Sequence, residues 1–184
     1  MKRLFSTVLL VAGALALIGC QRQADSAANK PAATNDAPQI YLSHAQPKLP
    51  TLKLWLGSEE ITAEVARRTV EVATGMMYRT NVAETEGMLF VFPRPYQATF
   101  YMRNTTVPLT AAYIAPDGTI LELHDLKPLD ETPVAAASDN VQFVLEMAQG
   151  WFQRHNISTG SVIRTPYGAL LGVNWNTLGP RRAQ

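Results

Sequence analysis

The chain has 184 residues, 47% of them hydrophobic, with 16 Lys and Arg against 15 Asp and Glu. That length and composition suit one domain with an ordinary core. The near-zero charge excludes the clustered basic face of a nucleic-acid binder, because Arg67-Arg68 and Arg181-Arg182 are isolated pairs, and no nucleic-acid partner is expected.

The chain opens with Lys2 and Arg3, an apolar run from Leu4 to Ile18, and Gly19-Cys20. A charged start followed by a short apolar stretch predicts an export signal over residues 1–19 rather than a membrane span. Leu17-Ile18-Gly19-Cys20 is similar to a bacterial lipobox, in which the cysteine thiol is acylated and cleavage falls before it. Cys20 is the single cysteine, and lipidation there predicts stable anchoring by more than one acyl chain. The expected location is the cell envelope. Gln21, not an acidic residue, follows the cysteine, which resembles the outer-membrane sorting pattern of Gram-negative hosts, facing the periplasm. With Cys20 acylated, the mature chain has no thiol for nucleophilic, metal or redox chemistry.

Residues 20–48 are rich in Ala, Asn, Asp, Gln, Ser and Pro. They predict a flexible tether, with a reach of roughly 25–30 Å for ~25 coil residues. The folded domain is expected over 49–166, followed by a tail over 167–184. Thr51–Leu56 and Ile61–Ala66 alternate in polarity around Gly57-Ser58, the pattern of a hairpin. Thr69–Met77 reads as a short helix with Thr69 as its N-cap. Gly87–Phe92 and Ala98–Arg103 are aromatic-rich runs joined by Pro93-Arg94-Pro95, and both predict strands. Leu109–Ala115 and Thr119–His124 flank Asp117-Gly118, a strong hairpin signal. Val141–Ala148 predicts a buried strand, Gly150–Asn156 a short amphipathic helix, and Ser161–Thr165 a last strand. About seven strands and two short helices imply a mostly β fold: one compact domain with an antiparallel, barrel-like or strongly curled sheet.

Several of these segments are similar to one family. Gly75-Met76-Met77-Tyr78-Arg79, Glu86-Gly87-Met88-Leu89-Phe90-Val91-Phe92 and Phe100-Tyr101-Met102-Arg103-Asn104-Thr105 with Pro108-Leu109 resemble blocks of the bacterial and archaeal domain-of-unknown-function family numbered 192. Asp117-Gly118-Thr119-Ile120, Val144-Leu145-Glu146 with Gly150, and Ile157 with Gly160 and Val162 resemble its later blocks. The resemblance spans roughly Leu54 to Ile163 and implies a compact, mostly β domain without an established reaction. Two positions depart from the family pattern. Thr110 stands where an acidic residue is usual after Pro-Leu, and Ala137 stands where an aromatic often precedes the loop serine.

The polar cluster ending the second aromatic run is the candidate site: Arg103, Asn104 and Thr105, with Arg79 and Glu146. A strand-end arginine can present a bidentate fork to a carboxylate or phosphate, and Asn104 offers donor and acceptor. Two readings stay open. The cluster binds a small anionic ligand, a glycan end or a peptide. Alternatively it is internal, with Arg79 or Arg103 paired to a buried Glu146 and Asn104 holding a turn. No motif implies a cofactor or a metal. His124, His155, Glu122 and Asp125 lack the spacing of a metal site, and Ser138 lacks a nucleophile-elbow context. The expected function is that of a lipid-tethered, non-catalytic binding or scaffold domain. The alternatives are an envelope hydrolase using Glu146 or His124 as base, and copper handling by Met76, Met77, Met88, Met102 and Met147, since thioethers select Cu(I).

Overall fold

A computed structural model describes residues 39–178. The expected signal peptide, Cys20 and the tether as far as residue 38 lie outside the described residues, as do residues 179–184. Alternating apolar side chains build the first hairpin. β1 (Thr51–Leu56) pairs antiparallel with β2 (Glu59–Ala66), matching Leu56 with Glu59 across Gly57-Ser58. Leu52, Leu54 and Leu56 all point inward, as period-2 geometry requires.

Helix α1 (Thr69–Thr74) follows. Its N-cap is Arg68, not Thr69, and Glu71 reaches back to accept from the Arg67 and Arg68 N–H groups at 3.0 and 2.9 Å. Burial pushes the Glu71 carboxyl up, but those two N–H donors and the Arg68 guanidinium together outweigh it and hold the group below its ordinary range. The chain then runs into β3 (Glu86–Tyr96), which lies parallel to β2. The β2–α1–β3 unit is a crossover, so the sheet is mixed and not purely antiparallel. β3 continues through Pro93 and Pro95, expected as a connection, after an irregularity between Val91 and Tyr96. Proline fits there because the ladder is already interrupted.

The second aromatic run yields only the two-residue β4 (Thr99–Phe100), which pairs with β7 (Val134–Ala135) in a separate small sheet. β5 (Leu109–Ile114) and β6 (Ile120–Leu126) form the hairpin expected at Asp117-Gly118. Gly118 adopts φ 92°, and the Asp117 carboxylate accepts the Thr119 N–H at 2.9 Å. β8 (Val141–Ala148) lies between β3 and β5, antiparallel to both. Helix α2 (Trp151–Arg154), β9 (Ile163–Thr165) and β10 (Gly168–Ala169) complete the fold.

The main sheet has eight strands in the order β10-β9-β1-β2-β3-β8-β5-β6. The expected barrel or strongly curled sheet is not found among the described residues. A single bridge, Thr119 to Val162, links the start of β6 to the approach of β9 without a continuous ladder.

The central strands are covered on both faces. Leu89, Val91, Ala112, Ile114, Phe143 and Leu145 pack on one face with Leu54, Trp151 and Phe152. Met88, Phe90, Phe92, Ala111, Tyr113 and Val144 pack on the other with Met76, Met102 and Leu126. Burying each large side chain contributes about 1.5–3 kcal/mol. The termini of the described segment also pack. Leu42 donates its N–H to Thr74 Oγ1 at 3.0 Å, and Gln46 Nε2 donates to the Glu71 and Gly75 carbonyls at 3.1 and 2.9 Å. At the other end Leu170 is fully buried, while Trp175 packs on Phe143 with ring centroids 5.6 Å apart.

Candidate functional site

Strand alternation along β8 sets the centre of the site. Phe143, Leu145 and Met147 face the first cluster, so Val144 and Glu146 face the second. Glu146 sits opposite Met88 on β3 and Ala111 on β5, in the middle of the sheet, with 4% of its surface exposed. It lines a cavity of about 240 Å³ whose walls come from the end of α1, from β3 and β4, and from Tyr101 and Thr105. The rings are fixed against one another. Phe100 meets Phe90 edge-on at 4.9 Å, and Phe92 meets Tyr96 edge-on at 4.8 Å.

The Glu146 carboxyl has no hydrogen-bond partner among the described residues, although every other buried carboxylate has one. Glu64 accepts from Leu49 N–H and Arg79, and Glu71 accepts from Arg67, Arg68 and its own helix start. Burial without a partner disfavours the charged form and pushes the Glu146 carboxyl up to about 8. Two tyrosines stand near it. Burial pushes the hydroxyl of Tyr96 up; burial, then the charges of Glu146 and Glu122, push that of Tyr113 up. Tyr113 donates to the Val134 carbonyl at 2.6 Å.

The other expected site residues are engaged elsewhere. Arg79 pairs with Glu64 on β2 at 2.9 Å, not with Glu146, and its Nε is buried without a partner. Arg103 bonds Glu131 through its Nε at 2.8 Å, and its guanidinium lies 5.3 Å from the Tyr101 ring and 5.8 Å from the Tyr41 ring. Asn104 takes φ 54°, its carbonyl accepts Tyr78 N–H at 2.8 Å, and its amide contacts Met77 Sδ at 3.9 Å. Its backbone, not its side chain, ties this turn to Tyr78. Thr105 donates to the Arg103 carbonyl at 3.1 Å and lines the cavity. Of the five residues, only Glu146 and Thr105 meet at one cavity. The rings beside them were missed as site residues, although the alternation that puts Phe90 and Phe92 on one face was readable in β3.

Neither His124 nor His155 is free. His124 Nε2 lies 2.9 Å from Glu122, whose carboxylate also accepts the Ala137 and Ser138 N–H groups. His155 lies between Glu59 at 3.3 Å and Glu84 at 3.1 Å. Among the described residues, no group of three or more His, Cys, Asp and Glu side chains is placed to hold a metal. Met147 packs in the first cluster and Met76, Met88 and Met102 in the second. Thr110, at the position where the family usually has an acid, donates to Asp125 at 2.6 Å and accepts Gly150 N–H at 2.9 Å. A larger groove of about 610 Å³ runs beside Lys48, Arg67 and Arg68. Its cations are engaged, Lys48 with Glu86 at 3.1 Å and Arg68 with Glu71 at 2.7 Å, while Arg67 reaches the Leu178 carbonyl at 3.4 Å.

The family model DUF192, described as uncharacterized ACR, matches residues 53–165. The chain belongs to this family. Two solved structures are similar to this DUF192 protein. One, from Sinorhizobium meliloti 1021 and described as a candidate transcription regulator, is 29% identical with a TM-score of 0.62, over 66% of this chain and 98% of its own. The other, a protein of unknown function from Novosphingobium aromaticivorans DSM 12444, is 33% identical with a TM-score of 0.56, over 62% of this chain and 83% of its own. Among curated proteins none matches. The 113-residue family match includes every wall of the Glu146 cavity except Ile40.

Proposed function

We propose that this DUF192 protein is an exported envelope lipoprotein, anchored through acylated Cys20, whose folded domain binds a small ligand without transforming it. The ligand lies in the aromatic cavity over Glu146. The observation that carries this reading is a carboxyl buried at the floor of a cavity with no hydrogen-bond partner among the described residues. Leaving such a group unmade costs about 1–3 kcal/mol, and a bound molecule that donates to it recovers that loss. An anionic ligand at the arginines is disfavoured, because Arg79 and Arg103 already pair with Glu64 and Glu131. A glycan or peptide end that donates O–H or N–H groups suits Glu146 and Thr105.

The mouth is bordered by the chain arriving from the tether. Ile40 lines the cavity, Tyr41 stacks on Arg103, and Leu42 is bonded to Thr74. A strap of this kind links the pocket to the segment that leads back toward the anchor. The test is ligand-observed NMR of the mature protein with a fragment panel. Fragments should bind the wild type and lose affinity in Glu146→Leu, which fills the floor with a side chain lacking a carboxyl. Equal binding to both proteins refutes the site.

A second reading is an envelope hydrolase with Glu146 as general acid or base. It is favoured by one observation: a carboxyl held near 8 inside a pocket is protonated at neutral pH and able to donate. Turnover of a glycoside or ester panel that disappears in Glu146→Gln supports this reading over the binding one.

A further inference from the structure

We infer that the ligand of the Glu146 cavity is an organic cation of the ammonium class, with its charged head against the carboxylate and its substituents against the aromatic rings. The inference rests on the cavity being a ligand site, as proposed above.

Three observations carry it. Among the described residues, Glu146 is the only carboxylate lining the cavity, no Lys, Arg or His side chain lines it, and Glu146 is 4% exposed with no donor from those residues. Phe90, Phe92, Tyr96, Phe100 and Tyr101 line the same space. Aromatic faces attract cations through their quadrupole, and aromatic cages are a known device for quaternary ammonium heads. The rings also hold one another. Phe92 contacts both Tyr96 at 4.8 Å and Phe100 at 6.5 Å, so the walls are set before any ligand arrives. Finally, Arg79 and Arg103 pair with Glu64 and Glu131, and no Lys or Arg among the described residues lines the cavity to compete for Glu146.

Other ligand classes use the cavity less well. An anion meets a carboxyl and ring faces of the same sign. A purely apolar molecule deepens the burial of the carboxyl and supplies no donor. A neutral donor satisfies Glu146 but draws nothing from the ring quadrupoles. The volume of about 240 Å³ favours a small head group over a large scaffold.

Burial pushes the empty-site carboxyl up to about 8, so a permanent cation must bind with loss of the Glu146 proton. Affinity therefore rises with pH until Glu146 is ionised. Tyr101 also lines the cavity; the other ionisable groups beside Glu146 are Tyr96 from β3 and Tyr113 from β5. Both are pushed up and stay neutral through that range.

The experiment uses calorimetric titration of the mature full-length chain with choline and with its uncharged isostere 3,3-dimethylbutan-1-ol, at pH 6 and pH 8. Choline should bind more tightly than the isostere. It should gain more than about tenfold in affinity from pH 6 to pH 8, while the isostere shows no gain. Glu146→Gln, checked for folding by circular dichroism, should lose choline affinity and its pH dependence. If the isostere binds as well as choline or better, the cation class is overturned and the pocket reading stands. If choline binds independently of pH and of Glu146, the cation class is overturned as well. If neither probe binds, the cation class is overturned, and the pocket reading stands or falls on the fragment panel alone.

Discussion

Replacing Glu146 by glutamine removes the one buried carboxyl without a hydrogen-bond partner among the described residues, and the consequence for stability depends on pH. The folded state holds this group at about 8, against 4.5 for an ordinary glutamate. Between those values the folded chain keeps a proton that the unfolded chain has lost. Stability from this group is therefore fully present below 4.5 and declines as pH rises to 8. Each pH unit in that window costs about 1.4 kcal/mol. The wild type is thus penalised by roughly 3 kcal/mol at pH 7 and roughly 5 kcal/mol above pH 8, both upper bounds. Glu71, Glu84, Asp117, Glu122 and Asp130 are all shifted down. Their pH effects fall below the window and cancel between the two proteins. The assay is urea unfolding of wild type and Glu146→Gln at pH 5, 6, 7 and 8. The variant should match the wild type near pH 5 and exceed it increasingly toward pH 8. A difference that stays constant over this range refutes the reasoning.

Arg79→Ala leaves Glu64 largely buried without its guanidinium and should destabilise by about 3 kcal/mol, read as a lower urea midpoint at unchanged slope. Arg103→Ala breaks an exposed pair with Glu131 and should leave the midpoint where it was. Gly87→Ala drives a Cβ into Met147 Sδ and to 2.7 Å from the Glu146 carbonyl, so it should cost about 2–3 kcal/mol by thermal unfolding. Cys20→Ser should release the protein from the membrane fraction. A mature N-terminus without acyl mass, measured by mass spectrometry, counts against the anchor.

The local signals in the sequence were the readable ones. β1 and β8 occupy the expected spans because their alternating or continuous apolar runs end at turn residues, and Asp117-Gly118 made the expected hairpin. What failed was relational. The segment between β2 and β3 holds a short helix and a loop, and it carries the chain over to a parallel strand. Nothing in either strand's own pattern distinguishes that from a hairpin. Ala98–Arg103 looked like a full strand because it is aromatic, but Phe100 and Tyr101 face a cavity rather than a ladder, and only two residues pair. The site divided for the same reason. Glu146 was recognised as buried from its strand, yet its two expected arginine partners went to Glu64 on β2 and to Glu131. The burial cost is met by keeping the proton instead of by pairing. The cavity then follows from side chains distant in sequence, Ile40 to Glu146, which no single window can display.

The most direct measurement is a pH titration of the Glu146 side-chain carboxyl carbon by ¹³C NMR, in the free protein and with saturating choline. A midpoint near 8 in the free protein, moving down when choline is bound, is the predicted result. A midpoint in the usual glutamate range, unmoved by choline, contradicts a partnerless buried acid awaiting a cation.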